Sequence, residues 1–210
     1  MIRPRVTVTY AQSLDGSLAS SVGAPLALSG PEALRYTHEL RANHAAILVG
    51  IGTVLADDPQ LTVRLVEGKN PRPIVLDTQL RFPLGARLFR HPTYKPILIT
   101  GPQSSEPRRR ALEEAGARVV RAPIDASGRL QLSTTLGLLR SMGIESLMVE
   151  GGARVITAFL AEKLVDAVAV TVAPRFVGGL RAYDAPVSLN LRDVRYSVLG
   201  SDVIVEGVPE

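Results

Sequence analysis

The sequence has no cysteine, no tryptophan, and only 4% aromatic residues among its 210 positions. Without cysteine, the chain can form no disulfide bond, no thiolate nucleophile and no cysteine-ligated metal centre. Its three histidines, His38, His44 and His91, lack the close spacing of a metal-binding pair, so we expect no structural zinc site. Hydrophobic residues still make up 46% of the chain, which predicts one domain over residues 1–210 with an aliphatic core.

Long apolar runs are also missing from the sequence. No stretch approaches the ~20 apolar residues of a membrane-crossing helix, and the first residues, Met1–Arg5, lack the apolar run of a signal peptide. These absences predict a cytoplasmic protein that does not contact a membrane.

The net charge of +4 leaves nucleic-acid binding open as an interpretation. Lysine and arginine are scattered, however, with one tight basic run at Arg108–Arg110, and aromatic residues for base stacking are scarce. Arginine outnumbers lysine, and its guanidinium group suits bidentate phosphate contacts. We therefore expect no nucleic-acid partner, and we interpret part of the basic excess as a site for an anionic ligand.

Strand and helix patterns alternate along most of the chain. Residues 5–11 alternate and are β-branched, which is typical of a strand, and residues 45–50 form the continuous apolar run of a strand buried on both faces. Further strands are predicted at 73–77, 96–100, 118–121, 146–150 and 166–174. Helices are predicted at 31–43, 105–115, 133–142 and 153–163. Ser29 and Glu32 form a capping box before the first helix, and Ser133 is the expected cap of the third.

This alternation predicts an α/β domain with a mainly parallel, mixed central sheet flanked by helices. Residues 194–199 and 202–208 form an expected antiparallel C-terminal hairpin around Gly200–Ser201. Residues 13–24 are expected to form a loop, with Asp15-Gly16 and Gly23 as turn residues.

Ligands of such sheets bind beyond the carboxyl ends of the strands, where Gly50–Arg64 follows one buried strand. A short helical turn would place Thr53 and Asp57 on one face, where a hydroxyl and a carboxylate can bind a ribose or an amide. Arg64 could then meet a phosphate. A capped turn around Asp57-Asp58-Pro59 explains the same residues equally well.

Glu150-Gly151-Gly152 follows a second buried strand and precedes a helix. Glycines there allow close approach, and the backbone N–H groups at a helix start bind phosphate well. The segment is neither a Rossmann fingerprint nor a P-loop, and a plain tight turn is the alternative.

Three other positions remain open on pattern alone. Ser13–Gly16 is better explained as a plain turn, and Thr78 is equally a cofactor contact or a cap. Arg41 could complement the dipole at the end of its helix, which the pattern favours, or bind a substrate phosphate. The sequence contains no nucleophile elbow with an adjacent base, so chemistry carried by a bound cofactor fits better than a hydrolytic triad.

Several of these segments resemble the riboflavin-biosynthesis reductase family. That family comprises the reductase half of bifunctional bacterial deaminase-reductases and the stand-alone archaeal and fungal enzymes. The resemblance covers residues 3 to 208 and rests on Val6–Gly16, Leu40–Ala42, Ala46–Arg64, Val149–Gly152, Leu164–Asp166 and Ala173–Gly179. The stretch from Thr53 to Arg64 is its most specific part.

The resemblance implies a dihydrofolate-reductase-like fold, a homodimer, and an NADPH-dependent reduction of a pyrimidine ribosylamine 5′-phosphate from ribosyl to ribityl. It implies substrate contacts by Arg41, Leu61, Arg64 and Glu150, with both arginines on the phosphate. Glu150 is the candidate catalytic residue. The implied cofactor residues are Gln12, Thr53, Asp57, Thr78, Gly152, Ala153, Arg154, Val155, Ile156, Thr157 and Ala158.

Two departures from the bacterial pattern are Thr9, where many members have lysine, and Ala27, where many have tryptophan. Residues 9–13 look like the fungal type, which reduces the pyrimidine before deamination. No zinc deaminase motif is present, so a separate deaminase is a possible partner in the pathway. The alternatives are a same-fold reductase of a pterin or another heterocycle, and a non-catalytic nucleotide-binding partner of a deaminase.

Overall fold

The computed structural model of the chain describes residues 2–21, 24 and 26–210, so the predicted turn residue Gly23 lies outside the described residues. The strands are β1 (Arg5–Ser13), β2 (Ser17–Ala19), β3 (Ala46–Gly50), β4 (Arg72–Leu76), β5 (Ile97–Thr100), β6 (Arg118–Arg121), β7 (Ser146–Glu150), β8 (Ala167–Ala173), β9 (Leu180–Arg181), β10 (Leu191–Leu199) and β11 (Asp202–Pro209). The helices are α1 (Pro31–Ala42), α2 (Ile51–Asp57), α3 (Glu106–Glu114), α4 (Leu132–Ser141) and α5 (Ala153–Ala161), with a 3₁₀ turn at Arg87–Arg90.

Nine of the strands form one sheet in the order β10-β11-β8-β1-β7-β3-β4-β5-β6. The strands from β8 to β6 are all parallel, whereas β11 pairs antiparallel with β8 and β10 pairs antiparallel with β11. The predicted mixed sheet and its C-terminal hairpin are therefore confirmed. The prediction of a plain loop at 13–24 is wrong in part, because β2 pairs there with β9 in a small second sheet.

The central strands are buried on both faces, as their continuous apolar runs predict. In β3, Ala46 and Leu48 belong to one apolar cluster, and Ile47 and Val49 belong to a second cluster on the opposite face. Alternate residues of a strand point to opposite faces, so one apolar run supplies both layers of the core. The helices covering these layers leave the carboxyl ends of the strands as the place for a site.

The predicted capping box at Ser29 is wrong. Gly30 is the N-cap of α1, and its backbone N–H donates to the carboxylate of Asp202 at 2.7 Å. Asp202 is almost completely buried, next to the turn between β10 and β11. A negative charge at a helix start is favourable, so a residue from the far end of the chain performs the capping role. Ser133 is not a cap either, because it lies inside α4.

Within the described part of the chain, we find no helix that is both long enough and apolar enough to span a bilayer.

Candidate active site

The carboxyl ends of four neighbouring strands, β1, β7, β3 and β4, lie side by side at one edge of the sheet. They bring Gln12, Glu150 and Thr78 to the same edge as α2, which starts immediately after β3. Ligands of parallel sheets bind at this edge. The sheet therefore assembles predicted site residues that are far apart in sequence.

The turn after β7 lies against α2. Gly151 and Gly152 have φ values of +129° and +69°, which side-chain-bearing residues rarely adopt. A Cβ atom on Gly151 would lie 3.2 Å from the Thr53 hydroxyl oxygen, so the turn and Thr53 are in close contact. The strand-to-helix turn is thus a backbone cradle with a hydroxyl beside it, as the functional interpretation of both motifs requires.

Helix α5 begins immediately after this turn, at Ala153. The N–H groups of Val155 and Ile156 donate to the carbonyl of Gly152, so the N–H groups before them are outside the helical hydrogen-bond pattern. The start of α5 can accordingly bind a phosphate through its backbone.

Helix α2 resolves the two interpretations of its acidic end. Asp58 is the C-cap in a left-handed conformation, and its carboxylate accepts a hydrogen bond from the Arg87 backbone N–H at 2.8 Å. Thr53 and Asp57 are one helical turn apart on the same helix, and partial burial raises the pKa of Asp57. Asp58 performs the capping role, and Thr53 and Asp57 stay candidates for contacts with a ligand.

The buried Arg41 and the partly exposed Glu150 form an ion pair across the cleft. Arg41 Nε donates to Glu150 Oε2 at 2.8 Å, a second guanidinium nitrogen donates to Oε1, and the third donates to the Thr62 carbonyl at 3.1 Å. Burial lowers the pKa of Arg41, but the charge and hydrogen bonds of Glu150 outweigh it and raise the pKa overall. Helical side chains point back toward the helix N-terminus, so the guanidinium lies at the cleft and not at the helix end.

His38 holds the segment that carries Arg64. Its Nδ1 accepts the Arg64 backbone N–H at 2.9 Å, and its Nε2 lies 3.5 Å from the Arg41 guanidinium. Burial lowers the pKa of His38 to about 4, assisted by the charges of Arg41 and Arg64, so the ring is neutral at neutral pH. Sequence reasoning missed this residue, although its position one helical turn before Arg41 places both on one face of α1.

Arg64 is exposed, in contrast to Arg41. Its guanidinium donates to the Thr62 hydroxyl at 2.7 Å. Partial desolvation of its guanidinium and the nearby charges of Arg41 and Arg87 lower the pKa of Arg64. The two arginines predicted to share one role therefore lie together in very different environments.

Several other predicted residues use their side chains for packing or for contacts within the protein. Leu61 packs in the core with φ +53°, which leaves its backbone as the part available to a substrate. Ile156 is fully buried, Val155 packs near Gly50, and the Thr157 hydroxyl accepts the Asp184 backbone N–H. Within α5, the first turn at Ala153 and Arg154 is the part open to a cofactor.

The remaining predicted cofactor residues lie on the flanks of the cleft. Gln12 is half-buried near the end of β1, opposite Val172 of β8. The carbonyl of Thr78 accepts hydrogen bonds from Gly101 and the Thr100 hydroxyl, which ties the end of β4 to β5. No cluster of potential metal ligands occurs among residues 2–21, 24 and 26–210.

A family model described as the RibD C-terminal domain matches residues 4–205. The chain belongs to this family. It is 39% identical to the 2,5-diamino-6-ribosylamino-4(3H)-pyrimidinone 5′-phosphate reductase of Methanothermobacter thermautotrophicus, with 98% of each chain aligned. It is 35% identical to the riboflavin biosynthesis protein RibD of Aquifex aeolicus, covering 97% of this chain but only 57% of that protein.

Solved structures agree with this family assignment. The riboflavin biosynthesis reductase Rib7 of Saccharomyces cerevisiae superimposes with a TM-score of 0.82 at 32% identity, covering 100% of this chain and 91% of that chain. Dihydrofolate reductase of Enterococcus faecalis matches with a TM-score of 0.56 at 14% identity, covering 98% and 96% of the two chains, which concerns the fold alone. The predicted dihydrofolate-reductase-like fold is confirmed.

Proposed function

We propose that the chain is an NADPH-dependent reductase that converts the ribosyl group of a pyrimidine ribosylamine 5′-phosphate to a ribityl group in riboflavin biosynthesis. The observation that carries the proposal is the contact of Thr53 with the Gly151–Gly152 turn, immediately beside the Arg41–Glu150 ion pair. A backbone cradle for a nucleotide and a fixed carboxylate for a sugar lie next to each other there.

The cofactor side fits a dinucleotide. The glycine turn lies directly against Thr53 with no side chain between them, and it leads into the start of α5, where phosphate groups are favoured. Thr53, Asp57, Thr78 and Gln12 supply hydroxyl, carboxylate and amide groups around that turn. When bound, a nicotinamide cofactor supplies the hydride, and these residues hold and orient it. The choice of NADPH over NADH rests on the family resemblance.

The substrate side is organised by Glu150. Arg41 donates to both of its carboxylate oxygens, which fixes the position of the side chain. Each oxygen has a further lone pair, so Glu150 can accept hydrogen bonds from the hydroxyls of a ribosyl group. We assign catalysis mainly to positioning, which is a large effect when reacting atoms are held in register.

The aminated pyrimidine is the better candidate for the substrate. The Methanothermobacter relative, which aligns over 98% of its length, is named for the 2,5-diamino pyrimidinone. The fungal-like residues 9–13 support the same order of reactions, with deamination carried out afterwards by a separate enzyme. The cytoplasmic location stays a prediction.

The deciding experiment is to mix the protein with NADPH and either the diamino pyrimidinone phosphate or its deaminated counterpart. We expect loss of the nicotinamide absorbance with the diamino compound and formation of a ribityl product. No oxidation with either compound would overturn the proposal. Replacing NADPH with NADH in the same assay tests the cofactor assignment.

The same assay separates the two alternatives. A pterin or other heterocycle reductase would oxidise NADPH with that heterocycle and not with the pyrimidine phosphates. A non-catalytic nucleotide-binding partner of a deaminase would bind NADPH tightly and turn over neither pyrimidine.

We further propose a homodimer formed through the β10 edge of the sheet. Strand β8 contains the apolar run Val168–Val172, but it is paired on both sides and so offers no free edge to a second subunit. On β10, Tyr196 and Val198 lie on one face, and the two residues are 73% and 74% exposed. We expect Val198→Lys to shift the protein from dimer to monomer in sedimentation analysis. A Val198→Lys variant as dimeric as the unmodified chain would rule out this edge.

A further inference from the structure

The segment Ser13–Gly16 does more than form the plain turn that its pattern favours. It begins at the last residue of β1, immediately after Gln12. The backbone N–H of Leu14 donates to the carbonyl of Arg175 at 2.8 Å, and Arg175 lies just beyond the end of β8. The loop that follows β1 is therefore in contact with the segment that follows β8. Together, residues 13–19 and 175–184 form what we call the Asp15 wall.

The carboxylate of Asp15 joins the two halves of this wall. Its Oδ1 accepts the Ser13 hydroxyl at 2.6 Å and the Val177 backbone N–H at 2.9 Å. Its Oδ2 accepts the Ser17 hydroxyl at 2.7 Å and the Gly178 backbone N–H at 2.9 Å. Hydrogen bonds from the two hydroxyls, and then from the Val177 N–H, lower the pKa of Asp15. A charged acceptor strengthens these bonds, so one side chain fixes residues more than 160 positions apart.

The two halves of the Asp15 wall also touch without intervening side chains. A Cβ atom on Gly179 would overlap with the Ala19 carbonyl oxygen, so only glycine fits there. The Gly179 N–H donates to the Ser17 hydroxyl oxygen at 3.0 Å, and the Arg181 guanidinium donates to the Asp15 carbonyl. Strands β2 and β9 pair at the same place. The wall is therefore one closely packed unit.

The far end of the Asp15 wall reaches helix α5. The backbone N–H of Asp184 donates to the Thr157 hydroxyl at 3.0 Å. The carboxylate of Asp184 lies 3.7 Å from the guanidinium of Arg154, in the first turn of α5. Gln12 and this first turn are both predicted cofactor positions. The wall accordingly links two parts of the candidate cofactor site that belong to different strands of the sheet.

We propose that Asp15 is a positioning residue for the cofactor. Its carboxylate holds the two halves of the wall together and thereby fixes Gln12 relative to the start of α5. The proposal rests on the proposed function, because it concerns the same cofactor site. Groups that are already held in place bind a ligand with a smaller loss of conformational entropy than groups that must be ordered on binding. Loss of the Asp15 carboxylate should therefore weaken binding of NADPH and not of the pyrimidine.

The first test is NADPH binding by Asp15→Asn, followed by fluorescence titration. Each oxygen of Asp15 accepts a backbone N–H, so the amide nitrogen of asparagine would face a donor in either orientation. We expect a loss of NADPH affinity of about tenfold. Asp125→Asn is the matched control, because that carboxylate accepts a serine hydroxyl and two backbone N–H groups, all within residues 125–129. A folded Asp15→Asn variant with unchanged NADPH affinity would overturn the proposal.

Steady-state kinetics separate positioning of the cofactor from a general loss of structure. In Asp15→Asn we expect a raised KM for NADPH and an unchanged KM for the pyrimidine phosphate. Equal rises in both KM values would contradict a role specific to the cofactor. Ser17→Ala removes one hydroxyl and leaves both N–H bonds to Asp15, so it should shift the KM for NADPH in the same direction by less. If Asp15→Asn does not fold, unchanged NADPH affinity in Ser17→Ala decides against the proposal.

The two measurements together keep this proposal separate from the proposed function. NADPH binding that is weakened in Asp15→Asn, without turnover of either pyrimidine phosphate by the unmodified protein, would overturn the proposed function and leave the role of Asp15 standing. Turnover by the unmodified protein, with equal NADPH affinity in Asp15→Asn, would leave the proposed function standing and remove Asp15 from the cofactor site.

Discussion

The two sides of the cleft are built in different ways. On the cofactor side, Thr53 contacts the Gly151–Gly152 turn. This contact depends on the backbone conformation, because both glycines have positive φ values and neither has a side chain that would keep Thr53 away. On the substrate side, Arg41 and Glu150 meet through charge. Buried charge must be compensated by a partner, whereas a backbone turn needs only the right conformation. We therefore expect the substrate side to determine stability and the cofactor side to determine ligand affinity.

The largest effect should come from Arg41→Met. It leaves the Glu150 carboxylate without its cationic partner. Removing one member of a fully buried pair costs about 3–5 kcal/mol, and because Glu150 is partly exposed we expect a loss of about 2–3 kcal/mol of unfolding free energy. The matched variant Arg64→Met removes an exposed, unpaired arginine nearby and should cost under about 0.5 kcal/mol. Denaturant unfolding measures both. Similar losses for the two variants would contradict the distinction between these arginines.

Acid should also weaken the substrate side through His38. Its pKa is about 4 in the folded protein and near 6.5 when unfolded, so the unfolded chain binds more protons between these values. The His38 contribution is complete above pH 6.5 and is lost as pH falls toward 4, by at most about 3 kcal/mol at ~1.4 kcal/mol per pKa unit.

The control for this pH effect is His38→Asn, whose amide oxygen can accept the Arg64 backbone N–H but does not titrate. His44 and His91 also have lowered pKa values and remain in the variant, so the difference isolates His38. Unfolding free energies at pH 7 and pH 5 are compared. The same pH slope in both proteins would remove His38 from this role.

On the cofactor side, Gly151→Ala should reduce NADPH affinity more than it reduces stability. The added methyl group would crowd the Thr53 hydroxyl. Alanine is also strained in the backbone conformation of Gly151, which costs on the order of 1–3 kcal/mol. Gly128→Ala is the matched control, since Gly128 has φ +78° with nothing near its added methyl group. Fluorescence titration with NADPH should show weaker binding for Gly151→Ala alone. Equal NADPH affinity in both variants would show that the Gly151–Gly152 turn does not contribute to cofactor binding.

The smallest effect is expected at the start of α1, which carries Arg41. Asp202→Ala removes the carboxylate that binds the Gly30 backbone N–H and should cost about 1 kcal/mol, as lost caps do. Asp202→Asn keeps an acceptor and should lose less. Thermal unfolding ranks the three proteins, and an Asn variant less stable than the Ala variant would argue against a capping role.

Local sequence patterns predicted most of the fold because each pattern is satisfied within a few residues. The apolar run of β3 is buried on both faces, and β7 follows its predicted bounds at Ser146–Glu150. The errors occur where the local structure is determined by contacts with distant parts of the chain. Ser29 loses the capping role to Asp202, and β2 forms because β9 lies beside it.

The candidate site shows the same division. The glycine turn and the Thr53–Asp57 face follow from adjacent residues and could be predicted from pattern. The Arg41–Glu150 pair joins residues 109 positions apart, so no local pattern contains it. For the same reason, the pattern favoured a helix-dipole role for Arg41 and gave no role to His38.

The position of Asp202 has a consequence for how the protein is made. Helix α1 leaves the ribosome well before β11, but the carboxylate at its N-terminus comes from that strand. Strand β1 likewise can form its hydrogen bonds only after β7 and β8 have been synthesised, because these strands pair with it on its two sides. Strand β1 and the helix that carries Arg41 can therefore reach their final environment only after almost all of these residues have been synthesised. Nascent chains ending before residue 202 should be targets for chaperones.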